Sequence, residues 1–187
     1  FDVVDVCAGS SYYWEGERFS CVLTGDGTVL CAGGNGAGQL GNGTKEASTS
    51  FSQVVLPAPA TALDCGERQV CALHGGESVS CWGANSGGTV MPYAGFSTYP
   101  LPTTWNLPES SHGIRVSGDV ACALADSGAL YCWGDSFPGC GLDAGEESGP
   151  ELCPVPGTII DFDVGDENNL CVLNDLSGVW CMGGNSW

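Results

Sequence analysis

Positive charge is what this chain has least of: 4 Lys and Arg stand against 22 Asp and Glu, and the formal net charge is −18. Phosphate backbones are held by clustered Lys and Arg, so the deficit excludes nucleic acid as a partner. Anionic membrane surfaces are disfavoured for the same reason. Histidine is reduced to 2 residues, which leaves no His pair at metal-ligand spacing. No stretch reaches the roughly 20 consecutive apolar residues of a membrane span, so insertion into a bilayer is not expected. The opening F-D-V-V-D-V has neither a basic start nor a long apolar run, so no signal peptide is read at the start.

Cysteine and glycine are what the chain has in excess, with 12 and 30 of 187 residues. Four cysteine pairs, each with nine residues between its members, recur at a nearly constant pitch: Cys21 with Cys31, Cys71 with Cys81, Cys122 with Cys132, and Cys171 with Cys181. Their first members are 50, 51 and 49 residues apart, so one unit of about 50 residues is written four times. The approximate units are 1–50, 51–101, 102–152 and a shortened 153–187, forming a single repeat domain over 1–187.

Each pair flanks a turn signal, as in C-V-L-T-G-D-G-T-V-L-C and C-A-L-A-D-S-G-A-L-Y-C. An odd number of intervening residues requires an odd hairpin loop, and Gly25-Asp26-Gly27 suits a three-residue turn with a left-handed glycine. The cysteines then face each other across two antiparallel strands, at a separation of about 4.5 to 5.5 Å that a disulfide tolerates. Structural zinc uses ligands two to four residues apart, and these pairs do not fit it. Of the remaining four, Cys140 and Cys153 share one loop, which leaves Cys7 and Cys65 as partners in matching places of successive units. An even total at this density is expected of a secreted or cell-surface protein from an oxidising compartment, read as a mature or excerpted chain.

A short β-branched run ending in Gly precedes each hairpin, and a polar, Gly-rich passage follows it. Within the hairpins Cys21 and Leu23 face one way and Val22 the other, so both strand faces are apolar and belong between packed sheets. Proline in V-V-L-P-A-P and Y-P-L-P-T-T favours edge or connecting structure over central strands. Each unit therefore reads as a small antiparallel sheet, in an all-β array of four, with an elaborate outer loop.

C-A-L-A-D-S-G-A-L-Y-C-W-G-D-S and C-V-L-T-G-D-G-T-V-L-C-A-G-G-N-G-A-G-Q-L-G-N-G-T resemble the regulator-of-chromosome-condensation repeat, whose units follow A-L-x-x-D-G-x-V-x-x-W-G-x-N-x-x-G-Q-L-G. The resemblance spans all four units and is strongest in the first and third. It implies a β-propeller-type array of four-stranded blades, in that family usually seven, here four blades of about 50 residues each stapled by a cross-strand disulfide. Founding members of the family bind chromatin and act as nucleotide exchange factors, roles that need basic surfaces and a reducing nucleus. This acidic, cysteine-paired chain is more similar to the secreted branch, which includes a bacterial β-lactamase inhibitor that binds protein on a rigid propeller.

Catalytic chemistry is not expected. His74 falls in a hairpin and His112 beside Ser110 and Ser111, with no Gly-x-Ser-x-Gly elbow or phosphate-cradling loop, and with the thiols paired there is no free nucleophile. No cofactor is implied. Asp161, Asp163, Asp166 and Glu167 offer hard oxygens of the kind calcium takes, without a full twelve-residue loop, and read first as a solvated strand end. Asn42-Gly43-Thr44 is a glycosylation sequon.

Aromatics carry the expectation of binding. Between Cys7 and Cys21 stand 13 residues where Cys65 and Cys71 enclose 5, so Tyr12, Tyr13 and Trp14 sit on an inserted loop. Such residues suit a protein or glycan surface, or the covering of one end of the stack. Trp105, near Tyr93, Phe96 and Tyr99, falls in the longest connection and is expected to present a second surface. Trp82 and Trp133 occupy the Trp-Gly position and are read as blade core. The first unit starts at its first strand and the fourth stops after Gly-Gly-Asn, so the expectation is a longer array or blades completed by copies of the chain. The expected role is a non-enzymatic extracellular scaffold for assembly or protein interaction. The alternative is a soluble lectin or protein inhibitor closing its own ring.

Overall fold

The structure is a computed structural model that describes residues 2–11, 18–85, 87–92, 95–134, 140, 142, 148–165 and 169–183. Its strands form four antiparallel sheets in chain order. Blade 1 is β1 (Val3–Gly9), β2 (Phe19–Thr24), β3 (Val29–Gly33) and β4 (Ser48–Val54). Blade 2 is β5 (Ala60–Cys65), β6 (Gln69–His74), β7 (Ser78–Asn85) and β8 (Ser97–Asn106). Blade 3 is β9 (Ser111–Ser117), β10 (Val120–Ala125), β11 (Leu130–Gly134) and β12 (Ser148–Leu152). Blade 4 contains, among the described residues, β13 (Ile159–Gly165), β14 (Asn169–Asn174) and β15 (Val179–Met182). First strands touch in sequence, β1 with β5, β5 with β9 and β9 with β13, so they line the inside of a propeller arc.

The central hairpins follow from the turn chemistry. Thr24 N–H donates to the Thr28 carbonyl at 3.0 Å and Gly27 N–H to the Thr24 carbonyl at 2.8 Å, closing a three-residue loop. Gly27 has φ +82°, a left-handed value that glycine adopts without steric cost. The register then sets Cys21 opposite Cys31, Cys71 opposite Cys81, Cys122 opposite Cys132 and Cys171 opposite Cys181. Each of these pairs is a disulfide, and two more join Cys7 to Cys65 and Cys140 to Cys153.

Three cores lie between the blades. Phe19, Cys21, Leu23, Val29 and Cys31 of blade 1 meet Leu63, Val70, Ala72 and Trp82 of blade 2. The face carrying the hairpin disulfide is called the forward face, and the opposite face of the same sheet the back face. Blade 2 repeats the contact with Cys71, Leu73, Val79 and Cys81 against Ile114, Ala121, Ala123 and Trp133. Blade 3 repeats it with Cys122, Leu124, Leu130 and Cys132 against Phe162, Val164, Leu170 and Val172. Apolar residues on both strand faces are thus explained, because a blade inside the stack is covered on each side.

Prolines stay out of the central strands. Pro100 and Pro102 lie in β8 and Pro150 in β12, each an outermost strand, where a missing N–H costs no ladder bond on the open side.

Candidate interaction faces

Inside the stack, forward and back faces are sealed; at its two ends they are open. Cys171, Leu173, Val179 and Cys181 of blade 4 occupy the register positions of Cys71, Leu73, Val79 and Cys81, which are fully buried. In blade 4 all four are exposed, Val179 by 69%. Blade 1 shows the reciprocal on its back face. Val6 pairs in register with Val22 as Leu63 does with Ala72, Ile114 with Ala123 and Phe162 with Val172. Leu63, Ile114 and Phe162 are buried against the preceding blade, whereas Val6 is 66% exposed. Val3 is exposed where Ala60, Ser111 and Ile159 are buried.

The back faces carry one further recurring clasp. Trp82 donates its indole N–H to the Gln39 carbonyl at 2.9 Å, and Trp133 to the Thr89 carbonyl at 3.0 Å, so each holds the outer loop of the preceding blade. Asn35 and Asn85 set those loops, their Oδ1 accepting from Leu40 N–H and Val90 N–H, both at 2.9 Å. The equivalent position in blade 1 is Ala32. A hollow of about 1040 Å³ lies there, lined by Arg18, Phe19, Ala32, Ser48 and Phe51 among others. A second hollow of about 600 Å³ lies on the inner strands, lined by Ser10, Ser11, Arg18, Glu67 and Ser117 among others.

On the inner strands, the residue opposite the first hairpin cysteine reaches forward to the next blade. Cys7 does so covalently, in its disulfide to Cys65. Asp64 does so by accepting a 2.7 Å hydrogen bond at Oδ2 from Val116 N–H. Its carboxyl is pushed up to about 6, first by burial, against hydrogen bonds from the Val116 and Cys65 amides and the Arg115 charge. Arg115 lies 3.6 Å from Asp163 through Nε and stacks over the Phe162 ring, 5.8 Å from its centroid. Asp163 holds the same place in blade 4 and is exposed.

The residues anticipated from sequence are distributed unevenly over these faces. Tyr12, Tyr13 and Trp14 lie outside the described residues, as do Asp166 and Glu167. Trp105 does not stand on a presenting loop: it lies in β8 opposite Val79, its ring edge-on to Trp133 with centroids 6.0 Å apart. The stretch of 97–106 forms a strand because it pairs along β7, and the half-buried indole packs against the blade 2 to blade 3 core. Asp161 and Asp163 share a strand face, but their Oδ1 atoms accept from Phe162 N–H and Val164 N–H, and Asp163 also faces Arg115. Asn42 is half-buried, its Oδ1 accepting from the Thr44 amide and hydroxyl at 3.1 and 2.8 Å. Residues that sequence reading did not single out, Val3, Val6, Leu173 and Val179, form the open faces. Aligning the four units position by position shows that they match buried residues of the other blades; their exposure comes only from the stacking.

His74 is buried, with Nε2 2.7 Å from Ser80 Oγ, which lies 2.6 Å from Thr104 Oγ1. Burial holds the imidazole below its ordinary pKa. His112 pairs with Asp126 at 2.9 Å, both side chains 60% exposed. Cys7 and Cys65 lie beside Cys21, and Cys140 and Cys153 beside Cys132, but every one of these sulfurs is in a disulfide. Among the described residues no helix is long and apolar enough to cross a membrane.

Disulfide-stapled antiparallel blades stacked around an inner row of first strands define a β-propeller repeat protein. No family model matches the chain. The bovine secretion-regulating guanine nucleotide exchange factor is 31% identical over 136 residues, which is 66% of this chain and 29% of that protein. The human X-linked retinitis pigmentosa GTPase regulator is 27% identical over 132 residues, 66% of this chain and 12% of that one. The chain thus spans less than a third of either relative. Among solved structures, human WBSCR16 matches with a TM-score of 0.81 at 20% identity, over 99% of this chain and 49% of that one. Yeast RCC1 (Prp20), solved bound to Kap60, matches at 0.72 and 19% identity over 98% and 43%. These likenesses support the regulator-of-chromosome-condensation β-propeller family, and the fold is that of its propellers.

Proposed function

We propose that the chain is a rigid, non-enzymatic scaffold for protein interaction, working in an extracellular or other oxidising compartment. The observation that carries the reading is the stack of disulfide-stapled blades around an inner row of first strands, a rigid platform of the propeller type. The propeller neighbour solved with Kap60 supports protein binding as the coarse role of the fold. Six disulfides with no free cysteine among the chain's residues support an oxidising setting. The bovine relative is named as an exchange factor, but the two share under a third of its length, and a net charge of −18 favours neither chromatin nor phosphate.

Cross-linking the protein in its native fluid and mapping the bridges by mass spectrometry tests the reading. Bridges to a protein partner are expected. Absence of any bridged partner, or free thiols in protein isolated without reductant, would sink it. A glycan-binding or inhibitory module is the second reading, favoured by the polar hollow lined by Ser10, Ser11, Arg18 and Glu67. Glycan-array binding lost in Trp14→Ala would select it. A mass increase at Asn42 in intact-mass spectra would show that the sequon is used.

A further inference from the structure

We propose that Cys65 is a site of thiol exchange, where a small-molecule thiol opens the Cys7–Cys65 bridge and the displaced Cys7 re-pairs with Cys21. Among the described residues two clusters bring three sulfurs within 4.8 Å of one another: Cys7, Cys21 and Cys65, and Cys132, Cys140 and Cys153. Each sets one disulfide against a sulfur of a second, the arrangement in which a released thiolate attacks the neighbouring bridge. The two clusters differ in access. Cys132, Cys140 and Cys153 are all buried, whereas Cys7 and Cys65 are half-buried. Cys65 also lines the hollow of about 600 Å³ on the inner strands, beside Gly9, Gly66 and Ser117, so a thiol entering there arrives at Cys65.

The register gives Cys7 an acceptor. Cys21 stands in β2, between β1 and β3, directly opposite Cys31 on one side and Cys7 on the other. Directly opposed residues of an antiparallel pair lie about 4.5 or 5.5 Å apart at Cα, both inside the window of about 4.4 to 6.8 Å that a disulfide spans. Cys21 can therefore bond to either neighbour. Stacking does not require the bond that is given up, since Cys7–Cys65 alone among the disulfides joins two blades. Blade 2 meets blade 3 on the inner strands through the Asp64 hydrogen bond to Val116, and blade 3 meets blade 4 through Arg115 and Asp163.

The exchange balances without an added oxidant. The incoming thiolate bonds to Cys65 Sγ as the Cys7–Cys65 bond breaks, and the electron pair leaves on Cys7 Sγ. Cys7 Sγ then bonds to Cys21 Sγ, the Cys21–Cys31 bond breaks, and Cys31 Sγ takes the pair together with the proton that the incoming thiol gave up. Two disulfides and one thiol enter; a mixed disulfide at Cys65, a Cys7–Cys21 bridge and the Cys31 thiol leave. The tie between blades 1 and 2 is thus replaced by a tie within blade 1. Transfer of Cys7 to Cys21 also removes the tethered thiol that would otherwise expel the small molecule from Cys65.

The test is peptide mapping of the whole chain, isolated without reductant, after timed exposure to reduced glutathione, acid quench and alkylation in mildly acidic denaturant. Expected are one glutathione on Cys65, a Cys7–Cys21 linked peptide and an alkylated Cys31. They should appear after the more exposed Cys171–Cys181 pair opens and before the buried Cys71–Cys81 pair does, with Cys140–Cys153 still closed. In the double variant Cys21→Ala, Cys31→Ala the glutathione held on Cys65 should fall by about tenfold or more, because Cys7 remains as a thiol at an effective concentration of about millimolar or above. Cys7–Cys65 still intact once Cys71–Cys81 has opened, or glutathione on Cys7 in place of Cys65, overturns the exchange site. Glutathione on Cys65 with Cys7 alkylated and Cys21–Cys31 whole, or an adduct undiminished in the double variant, overturns the transfer to Cys21. The wild-type map decides by itself should the double variant not fold.

Discussion

Trp82 and Trp133 show how much one side chain does in this fold. Each is fully buried, fills the space between two blades and ties down the preceding outer loop through its indole N–H. Trp82→Ala should cost about 3 to 5 kcal/mol in chemical denaturation, from lost packing and the cavity left behind. Trp82→Phe keeps most of the ring but removes the indole hydrogen bond to the Gln39 carbonyl, and should cost about 0.5 to 1.5 kcal/mol. Asp64 acts in the opposite sense. Its folded pKa of about 6 lies above the ordinary 3.8, so the fold prefers the protonated acid. Its stabilising contribution is fully present below 3.8 and is lost as pH rises through 6. Asp64→Asn still offers an oxygen to Val116 N–H. The wild-type thermal midpoint, measured relative to this variant, should therefore fall between pH 4 and 6; a constant difference would refute the assignment.

Two features of each blade were legible before any coordinates: the central hairpin, and the glycine that follows its second cysteine. In each of the first three blades a register shift separates that cysteine from Gly33, Gly83 or Gly134, whose φ values are +119°, +102° and +115°. A Cβ at Gly83 would collide with the Arg68 carbonyl oxygen. Gly83→Ala should therefore cost about 2 kcal/mol or more, visible as a lowered denaturant midpoint. The disulfides differ by environment even though their spacing is identical. Removing either Cys71–Cys81 or Cys171–Cys181 by paired alanines should cost about 2 to 3 kcal/mol through chain entropy. The buried pair should cost about 1 to 2 kcal/mol more, because its sulfurs also fill the core. Outer strands were less legible. β8 holds two prolines and Trp105, a composition that reads as a loop until β7 is there to pair with it.

In the assembled arc, exposure varies along a chain whose units are alike. Cys171 and Cys181 are the hairpin pair that solvent reaches, while the other three pairs are buried. Mild reduction followed by alkylation should therefore label Cys171 and Cys181 first. Labelling that starts at Cys71 and Cys81 would contradict the blade order.

The fourfold repeat, the hairpin partners and the likeness to a propeller family are all local or periodic properties. They survive translation into sequence because a turn needs only its own residues and a repeat needs only itself. Strand periodicity also shows that both faces of a blade are apolar, as in Cys21, Val22 and Leu23. It cannot say what each face meets, since Val6 and Phe162 obey the same pattern, and one is exposed while the other is buried. That difference comes from neighbours about 50 residues away, brought together by stacking. The clasp of Asp64 on Val116, the packing of Trp105 against Trp133 and the two open faces all arise there. They are properties of sheets in contact, so they appear once the blades are placed side by side.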